Sequence, residues 1–256
     1  MEKVVYIADL RDDIDDFIAV LYLHKKGLLQ EVLYDPDKAE ISWLKNLVSQ
    51  GINIRHYVPS SSSKYFICGG GLSKTYDFLK SEKESIDTFV MNGGFAGCNV
   101  VNQEDELKKF KNRQFVRTYN FNLDAKITDK FLRLPENKLR NMVLVGKNIC
   151  HSELNTVNYL WKDDPVIKEI RQAYTFPADK RLHDLLAIHE ALAILDPTDY
   201  KPYCKYEELY PCTENGIEAE MTKWGSSKTK TLDGKTIPYR KCKVATGFVD
   251  GLFIKD

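Results

Sequence analysis

Five aspartates fall within eight residues: Asp9, Asp12, Asp13, Asp15 and Asp16. Carboxylates this dense repel one another unless a cation sits among them. The run therefore reads in one of two ways. It is a solvated acidic loop in which Asp15 or Asp16 caps a helix, or it is a site for a hard cation or for sugar hydroxyls. A second chemical pair, His183-Asp184, opens the apolar run Leu185 to Leu195. Taken alone, Asp184 reads as a helix cap. A third group is basic: Lys108, Lys109, Lys111 and Arg113 surround Asn112. Such a cluster is a solvated face, or it attracts a phosphate.

The elements that must position these residues follow from hydrophobic periodicity. Val4-Val5-Tyr6-Ile7-Ala8 reads as a buried strand, and the acidic turn leads from it into the apolar helix Phe17 to His24, stopped near Gly27. Further strands are expected at Glu31–Tyr34, Tyr65–Cys68, Thr88–Met91 and Val143–Gly146, with helices near 38–50, 73–80 and 182–195. Short apolar strands alternating with helices predict an α/β fold with a central, mostly parallel sheet flanked by helices. In such sheets ligands bind beyond the carboxyl ends of the strands, where the acidic turn, the Gly69-Gly70-Gly71 and Asn92-Gly93-Gly94 turns and the segment after Val145 all fall. The last quarter reads as short strands at Glu218–Thr222, Lys228–Leu232 and Lys243–Ile254, a small antiparallel addition. With no repeat and no clear linker, residues 1–256 are expected to form one domain.

Composition excludes several classes. Lys+Arg and Asp+Glu are both 37, so the formal charge of zero argues against a strongly basic nucleic-acid binder, while a local basic patch stays open. No apolar run approaches the ~20 residues needed to span a bilayer. The start of the chain has no signal-peptide pattern, so a cytoplasmic protein without membrane contact is expected. The six cysteines include no C-x-x-C pair and are expected as free thiols rather than a disulfide scaffold or a zinc site. Gly69-Gly70-Gly71 lacks the Lys-Ser/Thr pair of a P-loop, and the run Ser60 to Ser63 reads as loop.

Taken together, the two acidic motifs resemble the nucleoside hydrolase family (inosine-uridine preferring nucleoside hydrolases), of which this chain looks like a divergent member. That family opens with a strand and D-x-D-P-G-x-D-D before an apolar helix, and closes with H-D-x-x-A before an apolar helix ending in D-P, as in His183-Asp184 to Asp196-Pro197 here. Between these ends, Gly70-Gly71-Leu72-Ser73-Lys74 is similar to G-P-L-T-N. Met91-Asn92-Gly93-Gly94 looks like an M-G-G turn. Asn112 to Asn120 is similar to N-x-x-P-x-x-E-F-N, and Leu144 to His151 looks like a stretch ending in T-H. The match covers nearly the whole chain in order.

The resemblance implies hydrolysis of the N-glycosidic bond of a nucleoside, nucleotide or related ribosyl compound. It implies Asp15 as acceptor of a ribose hydroxyl, Asp16, Ser73 and Asp184 as ligands of a Ca2+ ion, His183 near the leaving base, and Asn112 and Asn120 as ribose contacts. Family members are often dimers or tetramers, so a homo-oligomer is implied too.

The departures matter as much. The family's second aspartate, a metal ligand and the probable water-activating base, falls on Arg11, which can neither bind Ca2+ nor act as a base. The G-N after the second strand is missing, and the glutamate that grips the 5′-hydroxyl is Thr118. Three readings of Arg11 remain open. It replaces the cation and pairs with Asp16 and Asp184, a slipped loop brings in Asp12 or Asp13 and restores calcium, or it points outward as a surface arginine. Loss of the glutamate fits a 5′-phosphate, a nucleotide within a polymer, or a decayed site. A catalytically silent ribosyl-binding or interaction protein is the rival expectation.

Overall fold

A computed structural model of the chain describes residues 2–11, 14–34, 39–56, 63–72, 76–77, 79–80, 85–214, 216–217 and 222–250. The principal strands are β1 (Val4–Ala8), β2 (Leu29–Tyr34), β3 (Ile54–Arg55), β4 (Tyr65–Cys68), β5 (Ile86–Asn92), β6 (Leu139–Val145), β7 (Cys204–Thr213), β8 (Trp224–Ser227), β9 (Thr231–Leu232), β10 (Lys235–Thr236) and β11 (Cys242–Phe248). The helices are α1 (Ile14–Lys25), α2 (Ile41–Ser49), α3 (Tyr119–Asn122), α4 (Ala125–Leu132), α5 (Lys147–Cys150), α6 (Pro165–Ala173) and α7 (His183–Leu195).

Nine strands form one sheet in the order β3-β2-β1-β4-β5-β6-β11-β7-β8. The pairs from β3 through β11 are parallel, and β7 runs antiparallel to β11 and to β8. The architecture is thus the expected α/β one, a mostly parallel sheet flanked by helices with antiparallel strands near the C-terminus. The late strands differ in detail from the sequence reading. β7 is a full strand where none was anticipated, because its alternating, half-buried pattern carries little apolar signal. β11 joins the main sheet beside β6, so these strands extend that sheet rather than lie over it as a layer. Of the expected strand at 218–222, residues 218–221 lie outside the described residues, as does the end of the one at 243–254.

Both faces of the sheet are covered, as a parallel sheet requires. Alternate residues of β1 divide between the two cores: Val4, Tyr6 and Ala8 face α1 and α7, while Val5 and Ile7 face the side built by Phe121, Phe131 and Leu132. Helices α1 and α7 pack on each other. Both are apolar nearly all round, which is why neither shows a sharp amphipathic stripe. Among the described residues no helix is long and apolar enough to cross a membrane. All six cysteines are free thiols, five of them buried.

One buried polar residue of α7 reports on the core. His189 stacks on Tyr203 at 3.7 Å and 5°, and its Nε2 lies 2.8 Å from the Lys201 carbonyl. Burial pushes its pKa down to about 4, opposed by that carbonyl. The imidazole is therefore neutral when folded and protonates more readily when unfolded. Its contribution to stability is complete above about pH 6.5 and is lost as pH falls toward about 4. Urea denaturation across this window is expected to show a shallower acid loss in His189→Gln than in the wild type. Equal slopes would show that His189 is already charged in the folded protein.

Candidate functional site

The carboxyl ends of β1, β4, β5 and β6 meet the N-terminal turns of α1, α3, α5 and α7 around one cleft of about 150 Å³. Its lining includes Asp9, Asp15, Asp16, Asp184, Asn92, Thr118, Tyr119, Asn120, Lys147, Cys150, His151 and His183. Two motifs far apart in sequence thus close on one site.

The join between them is a hydrogen bond pair. Asp15 Oδ2 accepts the backbone N–H of His183 at 2.8 Å and that of Asp184 at 3.3 Å. These are the first residues of α7, whose opening N–H groups have no partner within the helix. Asp15, in the first turn of α1, therefore caps a different helix. The sequence reading gave Asp15 to a ribose hydroxyl; one of its oxygens is committed to the fold.

Asp16 and Asp184 stand side by side at 5% exposure each. A Cβ at Gly69 would lie 2.7 Å from Asp16 Oδ1 and 2.8 Å from Asp184 Cγ, so only glycine lets β4 end here. Tyr6 OH donates to Asp16 Oδ1 at 2.8 Å, and Asn92 Nδ2 donates to Asp184 Oδ1 at 2.9 Å. Burial holds the Asp16 carboxyl well above the usual range, reinforced by the carboxylates of Asp184 and Asp9 and opposed by the Tyr6 hydroxyl. Asp16 hydrogen-bonds Asp9 as well, so a proton shared in this cluster relieves the repulsion that the sequence left unsolved. Cys150 lies beside Asn92, and burial keeps its thiol protonated, which removes it as a nucleophile.

Asn120 Nδ2 donates to the carbonyls of Gly69 and Asn92 at 2.8 and 2.7 Å, tying the ends of β4 and β5 together. Thr118 is 3% exposed, and its Oγ1 has no hydrogen-bond partner although it lines the cleft. On the same side, the His151 and His183 rings are 4.9 Å apart. Lys109 Nζ sits 2.6 Å from His151 Nδ1, and Lys147 Nζ donates to the Arg117 carbonyl at 2.9 Å. Burial, then His183, Lys109, Lys147 and Arg181, push the His151 pKa down to about 3, so this imidazole is neutral.

Asp15, Asp16, Thr118, Asn120, His183 and Asp184 thus share the cleft. Ser73 lies outside the described residues, as do Asp12 and Asp13 of the slipped-loop reading. Two residues, Asn112 and Arg11, stand apart from this group. Asn112 is not in the lining. It sits exposed in the turn after a short 3-10 helix, at φ 59, with its backbone N–H on Glu106 Oε2, and this left-handed turn points its role to the loop. Arg11 does not pair with Asp16 or Asp184. Leu10 takes φ 45 and enters the core, and Arg11 then turns to the mouth. There Nη1 donates to Tyr119 OH at 2.8 Å and Nε lies 3.6 Å from Asp9 Oδ2.

The sequence reading passed over Asp9, Lys147, His151 and Tyr119 as site residues. The first three stand at strand ends or helix starts within the motifs quoted above, which is the signal that could have found them. Tyr119 has only its place beside Thr118.

If Asp15 holds α7 in register, Asp15→Ala leaves two N–H groups without their acceptor. A loss of about 1–3 kcal/mol in urea denaturation is expected. Asp15→Asn, which keeps an oxygen and removes a charge, is expected to match or exceed the wild type. A neutral Asp15→Ala would show that the cap carries no stability.

No protein-family model matches the chain. An uncharacterized protein of Aquifex aeolicus (strain VF5) is 29% identical over 179 residues, covering 65% of this chain, and the match spans 58% of that relative's length. Among solved structures, an inosine-guanosine nucleoside hydrolase (IG-NH) superposes with a TM-score of 0.56 over 96% of this chain and 94% of that one, at 14% identity. The chain therefore has a nucleoside-hydrolase-like fold.

Proposed function

We propose that the chain hydrolyses the N-glycosidic bond of a nucleoside, nucleotide or related ribosyl compound. The observation that carries this reading is the convergence of Asp9, Asp15, Asp16 and Asp184 on one small cleft at the strand ends. Water attacks the anomeric carbon, the C–N bond breaks with its electron pair going to the base, and the base takes up a proton. Positive charge develops on the ribose in the transition state, and fixed carboxylates are what stabilise it. Asp16, whose carboxyl burial raises well above the usual range, holds a proton beside the other aspartates of the cleft. His183 flanks the leaving base and offers a ring N–H to it.

The calcium ion of the resembled family is tested by its donors. Ca2+ takes 6–8 oxygen ligands. Arg11 stands where one carboxylate ligand would be and faces away from Asp16 and Asp184. Asp16 and Asp184 each spend an oxygen on Tyr6 and Asn92. Among the described residues no group of three or more His, Cys, Asp or Glu is placed to hold a metal ion. The donors among the described residues do not by themselves make up a calcium shell, and a proton on Asp16 lowers the charge of the cluster in its place. Removing divalent ions with EDTA is then expected to leave the Tm and turnover unchanged. A drop in Tm restored by Ca2+ would overturn this.

The same departures favour a second reading, a silent ribosyl-binding protein. Base release from a panel of nucleosides and their 5′-monophosphates separates the two. The glycosidase reading expects turnover that falls ~10²–10⁴-fold in Asp9→Asn and in Asp184→Asn. Ribose or ribonucleotide binding with no base release by the wild type would favour the silent binder.

A further inference from the structure

The cleft is bipolar. Opposed to its four aspartates is a cationic side built from Lys109, Lys147 and Arg181 around His151. Phe110 supports it. Its ring meets His151 edge-on at 5.8 Å, and the ammonium groups of Lys109 and Lys147 lie 4.9 and 5.9 Å from its centroid. Arg181 is near enough to depress both Lys109 and His151, and its Nε is buried without a hydrogen-bond partner. Among the described residues none of these three cations has a carboxylate within salt-bridge distance. Like charges gathered in this way, exposed at Lys109 and half-buried at Lys147 and Arg181, repel one another unless an anion joins them.

A second, independent feature points the same way. The Thr118 hydroxyl is buried, unpartnered and in the cleft lining. It is adjacent to this side, because Lys147 Nζ bonds the carbonyl of Arg117, one residue earlier. The groups that line this side are donors: the Lys147 ammonium, the Thr118 hydroxyl, and the Nε2–H that His151 keeps while Lys109 occupies Nδ1, with Lys109 and Arg181 standing behind them. They suit a ligand group that only accepts hydrogen bonds and carries about two negative charges, which describes a phosphate monoester. A carboxylate at position 118 would pair with Lys147; a threonine leaves that ammonium for the ligand.

We propose that Thr118, Lys147 and His151, backed by Lys109 and Arg181, form a phosphate subsite, so that the cleft takes a ribosyl compound phosphorylated on its primary hydroxyl. The secondary hydroxyls of the ribose face the aspartates and Asn120, and the exocyclic carbon carries its phosphate to the cationic side. The cleft, at about 150 Å³, is below the ~300–1,000 Å³ of most drug-sized ligand sites, which favours a compact sugar phosphate as the enclosed group. This assignment rests on the glycosidase reading for the position of the sugar, and not for the phosphate itself.

The test is calorimetric titration of the whole chain with ribose 5-phosphate, ribose and inorganic phosphate. Charge-assisted hydrogen bonds predict that ribose 5-phosphate binds roughly tenfold to a hundredfold more tightly than ribose. Lys147→Met and, separately, Arg181→Gln should each lower that ratio toward one, and Thr118→Val serves if a charge change impairs folding. Equal affinity for ribose and ribose 5-phosphate, or a ratio indifferent to all three substitutions, would overturn the proposal. A ribo-oligonucleotide bound more tightly than ribose 5-phosphate would overturn it in favour of a polymer. Phosphate-dependent binding without base release keeps the subsite and removes the glycosidase. Base release from nucleosides with no gain from a 5′-phosphate does the reverse.

Discussion

The Asp15 carboxylate, accepting the first two N–H groups of α7, is the contact on which the site depends. It joins residues 168 positions apart in the chain. Without it the acidic turn after β1 and the His183-Asp184 pair would be held only by apolar packing between two helices that are greasy on every side. Such packing fixes distance well and rotation poorly. A directional bond at the helix starts sets the rotation, and the rotation decides whether Asp184 meets Asp16 or passes it.

Bringing these carboxylates together is unfavourable on its own, and the fold offsets it locally. Asp15 and Asp16 stand in the first turn of α1 and Asp184 in the first turn of α7, where the helix dipoles favour negative charge. Tyr6 and Asn92 each donate a hydrogen bond to the pair. The rest of the repulsion appears as a raised Asp16 pKa, so the cluster keeps a proton rather than one more charge. A site that stores a proton beside an ionised carboxylate is equipped for acid–base work.

Much of this was legible in the sequence. The strand–acidic turn–helix at 4–24 and the helix at 183–195 carry apolar runs and charge placement that leave few alternatives, and they hold four of the six expected site residues found in the cleft, Asp15, Asp16, His183 and Asp184. Arg11 and Asn112 were not legible. Spacing along a chain assumes a regular path, and both residues sit at or beside left-handed backbone, φ 45 at Leu10 and φ 59 at Asn112. One left-handed residue redirects everything after it without leaving a mark in composition. Lys147 and His151 were hidden differently. Each is one residue of an unremarkable loop, and only the parallel pairing of β5 with β6 puts that loop beside Asn92 and Asp184.

That pairing also explains why one cleft holds opposite charges without cancelling them. β1 and the turn into α1 deliver Asp9, Asp15 and Asp16, and α7 delivers Asp184, while β6, through α5, delivers Lys147 and leads to His151; β4 and β5, with the Asn92-Gly93-Gly94 turn, stand between. Neutral donors and His183 therefore separate the two sides, and among the described residues Lys109, Lys147 and Arg181 have no carboxylate within salt-bridge distance. Had the acidic and basic residues come from neighbouring strands, they would have paired and closed the cleft. Separation by two strands keeps the two sets apart on opposite sides of the cleft.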